Sequence, residues 1–240
     1  MEKSKTILGI ITARGGSKGI PRKNVKELAG KPLIAYTIEA AKESGVFSRI
    51  ILSTDDEEIA EVGKKYGAEV PFMRPVELAQ DTTPTLPVLI HAVNWLKENE
   101  NFYPDYTVIL QPTAPFRQGK HLREALEFLS ESGADSVVSA CEVPGDFNPH
   151  WQFELDPEGR LKIFTGEDLR HIIRRRQDLP KTYFRNGAIY AFRTDLLFLP
   201  EPNFYGEDSR AYVMENKYNI NINSPEDFLL AELRLKEIFS

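Results

Sequence analysis

Short apolar runs and helix-like patterns alternate along the first half of this chain. The first run, rich in Ile, Leu and Gly, begins at Ile7 and is typical of a buried parallel strand. The patterns after it predict a helix over Lys31–Ser44, a strand over Arg49–Thr54, a helix over Glu57–Tyr66 and a short strand over Glu69–Met73. This β-α-β-α-β order predicts a doubly wound, mostly parallel α/β sheet, which binds ligands beyond the carboxyl ends of its strands.

Proline and glycine mark the ends of the first predicted helix. Pro32 suits its first turn, and Gly45 suits its end. The same alternation continues with helices over Leu86–Asn99 and Gly119–Ser132 and with strands over Tyr106–Gln111 and Asp135–Glu142.

The pattern changes at Pro144. Two strand-like runs within Trp151–Phe164 flank an Asp-Pro-Glu-Gly turn, which predicts a β-hairpin. Phe147, Phe153 and Phe164 make this segment unusually apolar, and a protruding aromatic hairpin is commonly covered by a second subunit. We therefore expect a main α/β domain over residues 1–143 and 186–240, with an inserted segment over residues 144–185.

The last part of the chain returns to strand and helix patterns. Strands are predicted over Asn186–Phe192, Ala211–Met214 and Asn219–Asn223. The sequence Ser224-Pro225-Glu226-Asp227 has the form of a capping box with proline at the first helical position, and it predicts a final helix to about Phe239.

Composition narrows the class of protein. The 240 residues contain 30 Lys and Arg against 36 Asp and Glu, a net charge of −6, which argues against a nucleic-acid partner. Cys141 is the single cysteine and lies in an apolar run, so it is expected in the core, and neither a disulfide framework nor a zinc site is expected. The start MEKSKT leads directly into a strand and no apolar run approaches a membrane span, so we expect a cytoplasmic protein without membrane contact.

A basic, glycine-rich loop follows the first strand and is the strongest local signal in the sequence. It contains the cations Arg14, Lys18, Arg22 and Lys23 around three glycines. Glycines let backbone N–H groups point at an anion, so the loop is suited to a polyphosphate. Neither G-x-x-x-x-G-K-[ST] nor G-x-G-x-x-G is present, which excludes a Walker-type loop and a dinucleotide loop. The alternative interpretation is a solvated basic turn.

Other polar groups are expected at the same sheet edge. Arg74 and Thr85 bound a polar, proline-rich loop and offer a cation and a hydroxyl to a nucleotide, although the loop is also compatible with a simple connection. Gln111 ends an apolar strand, where it either completes the strand or hydrogen-bonds a substrate. The run Arg174–Arg176 is equally compatible with a solvated face.

Taken together, these landmarks resemble the CMP-sialic acid synthetases, also called acylneuraminate cytidylyltransferases. The matching residues, in the family's order, are Ala13–Pro21, Lys23-Asn24, Ser53–Asp55, Arg74-Pro75, Glu77–Ala79, Asp81-Thr82, Gln111–Thr113, Arg176–Pro180 and Asn186–Tyr190. The resemblance implies a Rossmann-like, GT-A-like nucleotidyltransferase fold that pairs as a homodimer through the inserted segment.

The resemblance also implies a reaction. CTP would react with a nine-carbon 2-keto sugar acid such as N-acetylneuraminate, legionaminate or pseudaminate, with the 3-deoxy-manno-octulosonate enzymes as close cousins. The anomeric hydroxyl would attack the α-phosphorus and release pyrophosphate, which activates the sugar for glycan synthesis. The residues implied are Arg14, Lys18 and Lys23 for catalysis, Arg14, Gly15, Gly16, Ser17, Lys23, Asn24, Arg74 and Thr85 for the nucleotide, and Gln111, Arg176, Asn186 and Tyr190 for the sugar.

The chain departs from the family pattern at the metal position. The family usually carries Asp-Ile-Asp ahead of the last helix to hold Mg²⁺, whereas this chain has Asn221-Ile222-Asn223. Amide oxygens bring no negative charge to a hard cation. Three alternatives follow: turnover with a weaker metal site, recruitment of another carboxylate such as Asp227 or Asp81, or a homologue that has kept binding and lost the chemistry. A base other than cytosine and a tetramer also stay open.

Overall fold

The computed structural model describes the backbone of residues 5–238 and the side chains of residues 5–236. In chain order its regular elements are β1 (Ile7–Thr12), β2 (Glu27–Leu28), β3 (Lys31–Pro32), α1 (Leu33–Ser44), β4 (Arg49–Ser53), α2 (Glu57–Tyr66), α3 (Thr85–Glu100), β5 (Tyr106–Leu110), α4 (Gly119–Ser132), β6 (Ser136–Glu142), β7 (Phe153–Leu155), β8 (Leu161–Ile163), β9 (Tyr183–Arg193), β10 (Ser209–Val213) and α5 (Pro225–Ile238).

Six strands form the central sheet, in the order β10-β6-β9-β5-β1-β4. β1 lies parallel to β4 and β5, and β10 lies parallel to β6. β9 runs antiparallel to both of its neighbours, β5 and β6. The predicted mostly parallel α/β sheet is therefore confirmed, with one antiparallel strand near its centre.

Helices cover both faces of this sheet because its strands bury both sets of side chains. On β1, Ile11 packs in a cluster with residues of α1, α4 and α5, whereas Leu8 and Ile10 pack in a second cluster with residues of α3. Alternate residues of a strand point to opposite faces, so one apolar run serves two cores. The resulting three layers leave the carboxyl edge of the sheet open for a site.

Glycines follow the last residues of α1 and α2, at the helix ends that the sequence predicts. Gly45 closes α1 with φ 69° and Gly67 closes α2 with φ 100°, both in the left-handed conformation that glycine adopts at little cost. Pro32 differs from expectation, because it precedes α1 in an extended conformation with ψ 137°. The reason is that Lys31–Pro32 pairs with Glu27–Leu28 as a short antiparallel ribbon.

Two predicted strands are wrong. The segment Glu69–Met73 makes a single parallel bridge, between Glu69 and Ile51, and then leaves the sheet. The segment Asn219–Asn223 is an irregular connection, although Ile220 and Ile222 are buried. The alternation of apolar and polar residues arises because Ile220 and Ile222 both enter the core. The Ile222 N–H donates to the carbonyl oxygen of Thr113, in a loop rather than a strand, at 2.8 Å.

The final helix begins as predicted. The Asp227 N–H donates to Ser224 Oγ at 3.2 Å, and Asp227 Oδ2 accepts from the Ser224 N–H at 2.9 Å, which is the reciprocal arrangement of a capping box. The helix is described to Ile238, and the predicted end at Phe239 lies outside the described residues.

The segment between β6 and β9 lies apart from the central sheet. β7 and β8 pair antiparallel, which confirms the predicted hairpin. Apolar side chains of this segment face solvent, with exposed fractions of 65% at Phe147, 69% at Leu155 and 58% at Phe164. Cys141, just before the segment, is buried in the core as predicted.

None of the helices formed by residues 5–238 is long and apolar enough to cross a membrane.

Candidate active site

A cleft of about 400 Å³ opens at the carboxyl ends of β1 and β5. Ten of the residues predicted for the site line it: Arg14, Ser17, Lys18, Lys23, Asn24, Arg74, Thr85, Gln111, Asn221 and Asn223. They come from the loop after β1, the loop before α3, the turn after β5 and the connection before α5. The topology therefore gathers at one edge groups that are far apart in the sequence.

Contacts on both sides shape the glycine-rich loop. The Gly15 N–H donates to Asp55 Oδ1 at 2.9 Å, and a Cβ on Gly15 would lie 2.8 Å from Asp56 Oδ2. A Cβ on Gly19 would lie 2.4 Å from the carbonyl oxygen of Asn223. Gly15 and Gly16 are not among the residues lining the cleft. Gly15 instead lets the loop approach the end of β4 closely.

Asn24 supports the loop from within. The residue is 5% exposed, and its Nδ2 donates to the Arg14 carbonyl oxygen at 3.0 Å. Its own carbonyl oxygen accepts from the Ile34 N–H at 2.9 Å, which ties the loop to the start of α1. Asn24 therefore fixes the backbone that carries Arg14, while also lining the cleft.

Acidic neighbours balance two of the loop's cations. Arg14 and Lys18 both form ion pairs with Asp81, which sits in the loop before α3. Both cations lower the pKa of the Asp81 carboxyl below its ordinary value, and Lys18 has the larger effect. The sequence suggested Asp81 as a substitute metal ligand, whereas the structure places its carboxylate on the cations expected to bind phosphate. Arg22 pairs with Asp56 and stays outside the cleft.

Lys23 projects inward from the loop to the opposite wall. Its Nζ donates to the Ile222 carbonyl oxygen at 3.0 Å, between Asn221 and Asn223. Burial lowers the pKa of Lys23, and the charge of Arg14 lowers it further. A half-buried ammonium therefore stands beside Asn221 and Asn223, the position at which the resemblance implies a metal.

Arg74 is held firmly by the end of β4. The residue is 6% exposed. Its Nε donates to Ser53 Oγ at 3.0 Å, and its backbone N–H donates to the Thr54 carbonyl oxygen at 2.7 Å. Burial lowers the pKa of Arg74 to about 10, while the charge of Asp55 opposes the shift. The guanidinium is therefore pre-positioned on the cleft wall. Thr85, the first residue of α3, lies on the same wall.

Three predicted sugar contacts do not line this cleft. Arg176 lies in the inserted segment, against Gly145. Tyr190 is 6% exposed and packs its ring edge-on against Phe204 in the core. Asn186 lines a neighbouring cavity of about 390 Å³ that shares Asn221 with the cleft.

The side chain of Asn186 is committed to the protein interior. Its Oδ1 accepts from Ser139 Oγ at 2.6 Å and from the Ala188 N–H at 3.1 Å. Its Nδ2 contacts Cys141 Sγ at 3.3 Å. The sequence motif identified an important position, but these contacts point to support of the strand rather than to a free hydrogen-bonding group.

Two amide side chains, those of Gln111 and Asn221, line the end of the cleft nearest β9, here called its inner end. Gly187 has φ 75°, and a Cβ there would lie 3.3 Å from Gln111 Oε1 and 3.2 Å from Asn221 Nδ2. Both amides therefore lie close to the side of Gly187 on which a Cβ would stand. Sequence reasoning named both amides but could not show that β9 brings them together.

The donor groups do not fit a carboxylate-held Mg²⁺. Asn221 and Asn223 line the cleft with amides, and no group of three or more His, Cys, Asp or Glu suited to a metal occurs within residues 5–236. Asp227 Oδ2 already accepts from the N–H groups of Asn223 and Ser224, each at 2.9 Å. Mg²⁺ usually binds one or two carboxylates together with substrate phosphates, so a firm protein site is missing from this part of the chain.

Comparison with known proteins identifies the family of this chain. A family model described as "Cytidylyltransferase" matches residues 8–229. The pseudaminic acid cytidylyltransferase of Campylobacter jejuni is 36% identical over 229 residues, which cover 95% of this chain and 96% of that protein. The CMP-N,N'-diacetyllegionaminic acid synthase of Legionella pneumophila is 36% identical over 228 residues, 94% of each chain.

Solved structures support the fold. The structure of CMP:2-keto-3-deoxy-manno-octonic acid synthetase complexed with CTP superposes with a TM-score of 0.69 at 16% identity, covering 97% of this chain and 98% of that one. The 4-diphosphocytidyl-2C-methyl-D-erythritol synthase of Anaerococcus prevotii gives a TM-score of 0.65 at 14% identity, covering 98% and 100%. By its family match and by its relatives, this chain belongs to the cytidylyltransferase family of nucleotidyltransferase enzymes.

Proposed function

We propose that this chain transfers CMP from CTP to a nine-carbon 2-keto sugar acid of the sialic, legionaminic or pseudaminic acid type. The observation that carries the proposal is the cleft itself, in which Arg14, Lys18 and Lys23 converge at the carboxyl edge of the sheet. Convergent cations favour a triphosphate, and the names of the relatives supply the nucleotide and the class of acid.

In this proposal the glycine-rich loop holds the phosphates. Arg14 and Lys18 exchange Asp81 for phosphate oxygens, and Lys23 neutralises the charge that develops at the α-phosphate. The anomeric hydroxyl of the sugar acid attacks the α-phosphorus, the bond to the bridging oxygen breaks, and pyrophosphate leaves with its electron pair. The proton of the hydroxyl passes to solvent. Positioning and electrostatics provide the acceleration, as in phosphoryl transfer generally.

The two ends of the cleft are assigned to the two substrates. Arg74 and Thr85 face the nucleoside, and the backbone around Asn24 offers hydrogen bonds to the base. Gln111 and Asn221 lie at the other end and face the hydroxyl and acyl groups of the sugar. Arg176, Asn186 and Tyr190 stay as predicted contributors to sugar recognition, with Asn186 acting through the backbone of β9.

Magnesium dependence is proposed in a weakened form. Because the chain offers amides where the family has carboxylates, the triphosphate supplies most ligands of any bound Mg²⁺. We expect Asn223→Asp to raise nucleotide affinity at low Mg²⁺, measured by calorimetry as the metal is titrated. The same titration on Asn101→Asp, a surface control at the end of α3, should match the wild type. An Asn223→Asp curve that overlays the wild type would contradict this metal argument.

We further propose a homodimer formed through residues 144–185. Exposed Phe147, Leu155 and Phe164 form an apolar surface on that segment, and solvent exposure of this much apolar area is unfavourable. Arg176 then acts on the carboxylate of the sugar bound in the partner's cleft. Light scattering should give twice the 27.3 kDa chain mass, and Leu155→Asp should give the monomer mass.

An enzyme that consumes CTP works where CTP is made, so we place it in the cytoplasm.

Pyrophosphate release tests the reaction directly. CTP is incubated with N-acetylneuraminate, legionaminate, pseudaminate or 3-deoxy-manno-octulosonate, over a range of Mg²⁺ concentrations. We expect release with CTP and one of the nine-carbon acids, and none with CTP alone. Replacing CTP by ATP, GTP or UTP tests the base. No release with any acid at any metal concentration would overturn the proposal.

A second candidate function follows from Asn221 and Asn223. A chain without metal-binding carboxylates at this position is also suited to binding a nucleotide sugar without turning it over. Calorimetry that shows CTP binding, combined with no pyrophosphate release over the whole Mg²⁺ range, would favour this second function.

A further inference from the structure

Arg117, in the loop between β5 and α4, is a buried cation for which the proposed reaction gives no use. It is 2% exposed, and no carboxylate among the described side chains forms an ion pair with it. Its Nε is buried and has no hydrogen-bond partner in the described part of the chain. Burial lowers the pKa of Arg117 to about 9. Because an unpaired buried charge is costly, the contacts that Arg117 does make must matter.

One of those contacts holds residues 186–189 of β9, where the register with β6 is interrupted. Arg117 Nη1 donates to the Ala188 carbonyl oxygen at 2.5 Å, and the Ala188 N–H donates to Asn186 Oδ1 at 3.1 Å. The backbone N–H and C=O of Ala188 are therefore both hydrogen-bonded to buried side chains. The preceding residue is Gly187, where a Cβ would lie 3.3 Å from Gln111 Oε1 and 3.2 Å from Asn221 Nδ2.

The second contact reaches α1 and the turn after β5. Arg117 Nη2 donates to Thr37 Oγ1 at 2.8 Å, and Thr37 Oγ1 lies 3.5 Å from the Gln111 carbonyl oxygen. The Arg117 N–H also donates to the Ala114 carbonyl oxygen at 3.4 Å. One rigid guanidinium thus joins α1, the turn that carries Gln111 and the irregular stretch of β9 that carries Gly187. A planar fork with fixed donors suits this role, and a lysine could not reach both arms.

We infer that Arg117 is a positioning residue for the inner end of the cleft, where it sets the spacing between Gln111 and Asn221. The inference rests on the proposed function in one respect only, that this end faces the sugar acid. Arg117 lines neither cavity described above, so it acts through the backbone that it holds.

Arg117→Lys tests the inference, with Arg123→Lys as its matched control. Arg123 also donates to backbone carbonyl oxygens, those of Glu43 and Ser44, but at the far end of α1. For the acid of the panel that gives turnover, we expect Arg117→Lys to lower kcat/KM for the acid about 10-fold to 100-fold, since misplaced contacts act on this scale. The Kd for CTP should change much less than this, since the hydrogen-bond partners of Arg117 include none of the residues assigned to the nucleotide. Arg123→Lys should alter neither.

A second measurement does not depend on turnover. The side-chain amide resonances of Gln111 and Asn221 should move in Arg117→Lys and stay in place in Arg123→Lys. Gly187→Ala should move the same resonances, because its Cβ would press on both amides. Unmoved amide resonances in folded Arg117→Lys, or equal losses of CTP and acid binding, would overturn the inference. If the wild type has no turnover with any acid, the proposed function fails while the resonance test still decides the role of Arg117.

Discussion

Gly19→Ala should disable the phosphate loop through one backbone contact. A Cβ at residue 19 would lie 2.4 Å from the carbonyl oxygen of Asn223, about 1 Å short of the 3.4 Å at which ordinary contact begins. The obstructing atom belongs to the backbone, so it cannot swing aside as a side chain could. Either the loop or the connection before α5 must therefore move by about 1 Å, which widens the cleft between Lys23 and Asn223. Misplacement by this distance commonly costs about 10²-fold in rate.

Gly16→Ala is the matched control for this prediction. Gly16 lies in the same loop, neither glycine has a positive φ, and a Cβ on Gly16 would have no described atom within 4 Å. We expect kcat/KM for CTP to fall about 10²-fold in Gly19→Ala and to fall much less in Gly16→Ala, because the added Cβ displaces no described atom. Pyrophosphate release measures both, and thermal melting verifies that both variants are folded. Equal activity in the two folded variants would refute the role assigned to the Gly19 contact.

Three further perturbations address charge and capping. Asp81→Asn removes the acid that pairs with Arg14 and Lys18, so CTP should bind more tightly by calorimetry, and weaker binding would show that Asp81 supports the loop instead. The pKa of Lys23 lies below its ordinary value, so CTP affinity should fall as pH rises through this lowered pKa and the ammonium loses its charge. Lys23→Arg should remove this pH dependence, because arginine stays charged. Asp227→Ala should cost about 1 kcal/mol as a lost cap, or roughly 2–4 °C in Tm. Backbone N–H groups lower the pKa of Asp227, so its stabilisation is present near neutral pH and is lost as pH falls through the depressed pKa, and a pH-independent difference in Tm would contradict this.

The sequence by itself determined the elements and the nature of the loop. Strand and helix patterns depend on spacing within a few residues, so β1, α2 and the hairpin of β7 and β8 were predictable. Gly45 and Gly67 end helices through a backbone preference that is local to one residue. The cations and glycines after β1 likewise indicated a polyphosphate from composition and spacing alone.

Only the tertiary structure decided which groups meet. Lys23 contacts the carbonyl oxygen of Ile222 although 199 positions separate the two residues, and nothing in either local pattern indicates this pairing. The burial of Ile220 and Ile222 imitates a strand because alternation records which side chains face the core, not whether a neighbouring strand is present. Asn186 occupies a recognisable motif, yet its side chain is buried and accepts a hydrogen bond from Ser139 of β6. The direction of each side chain, the register between strands and the partner of each charge depend on elements that folding brings together. A local sequence pattern therefore cannot predict them.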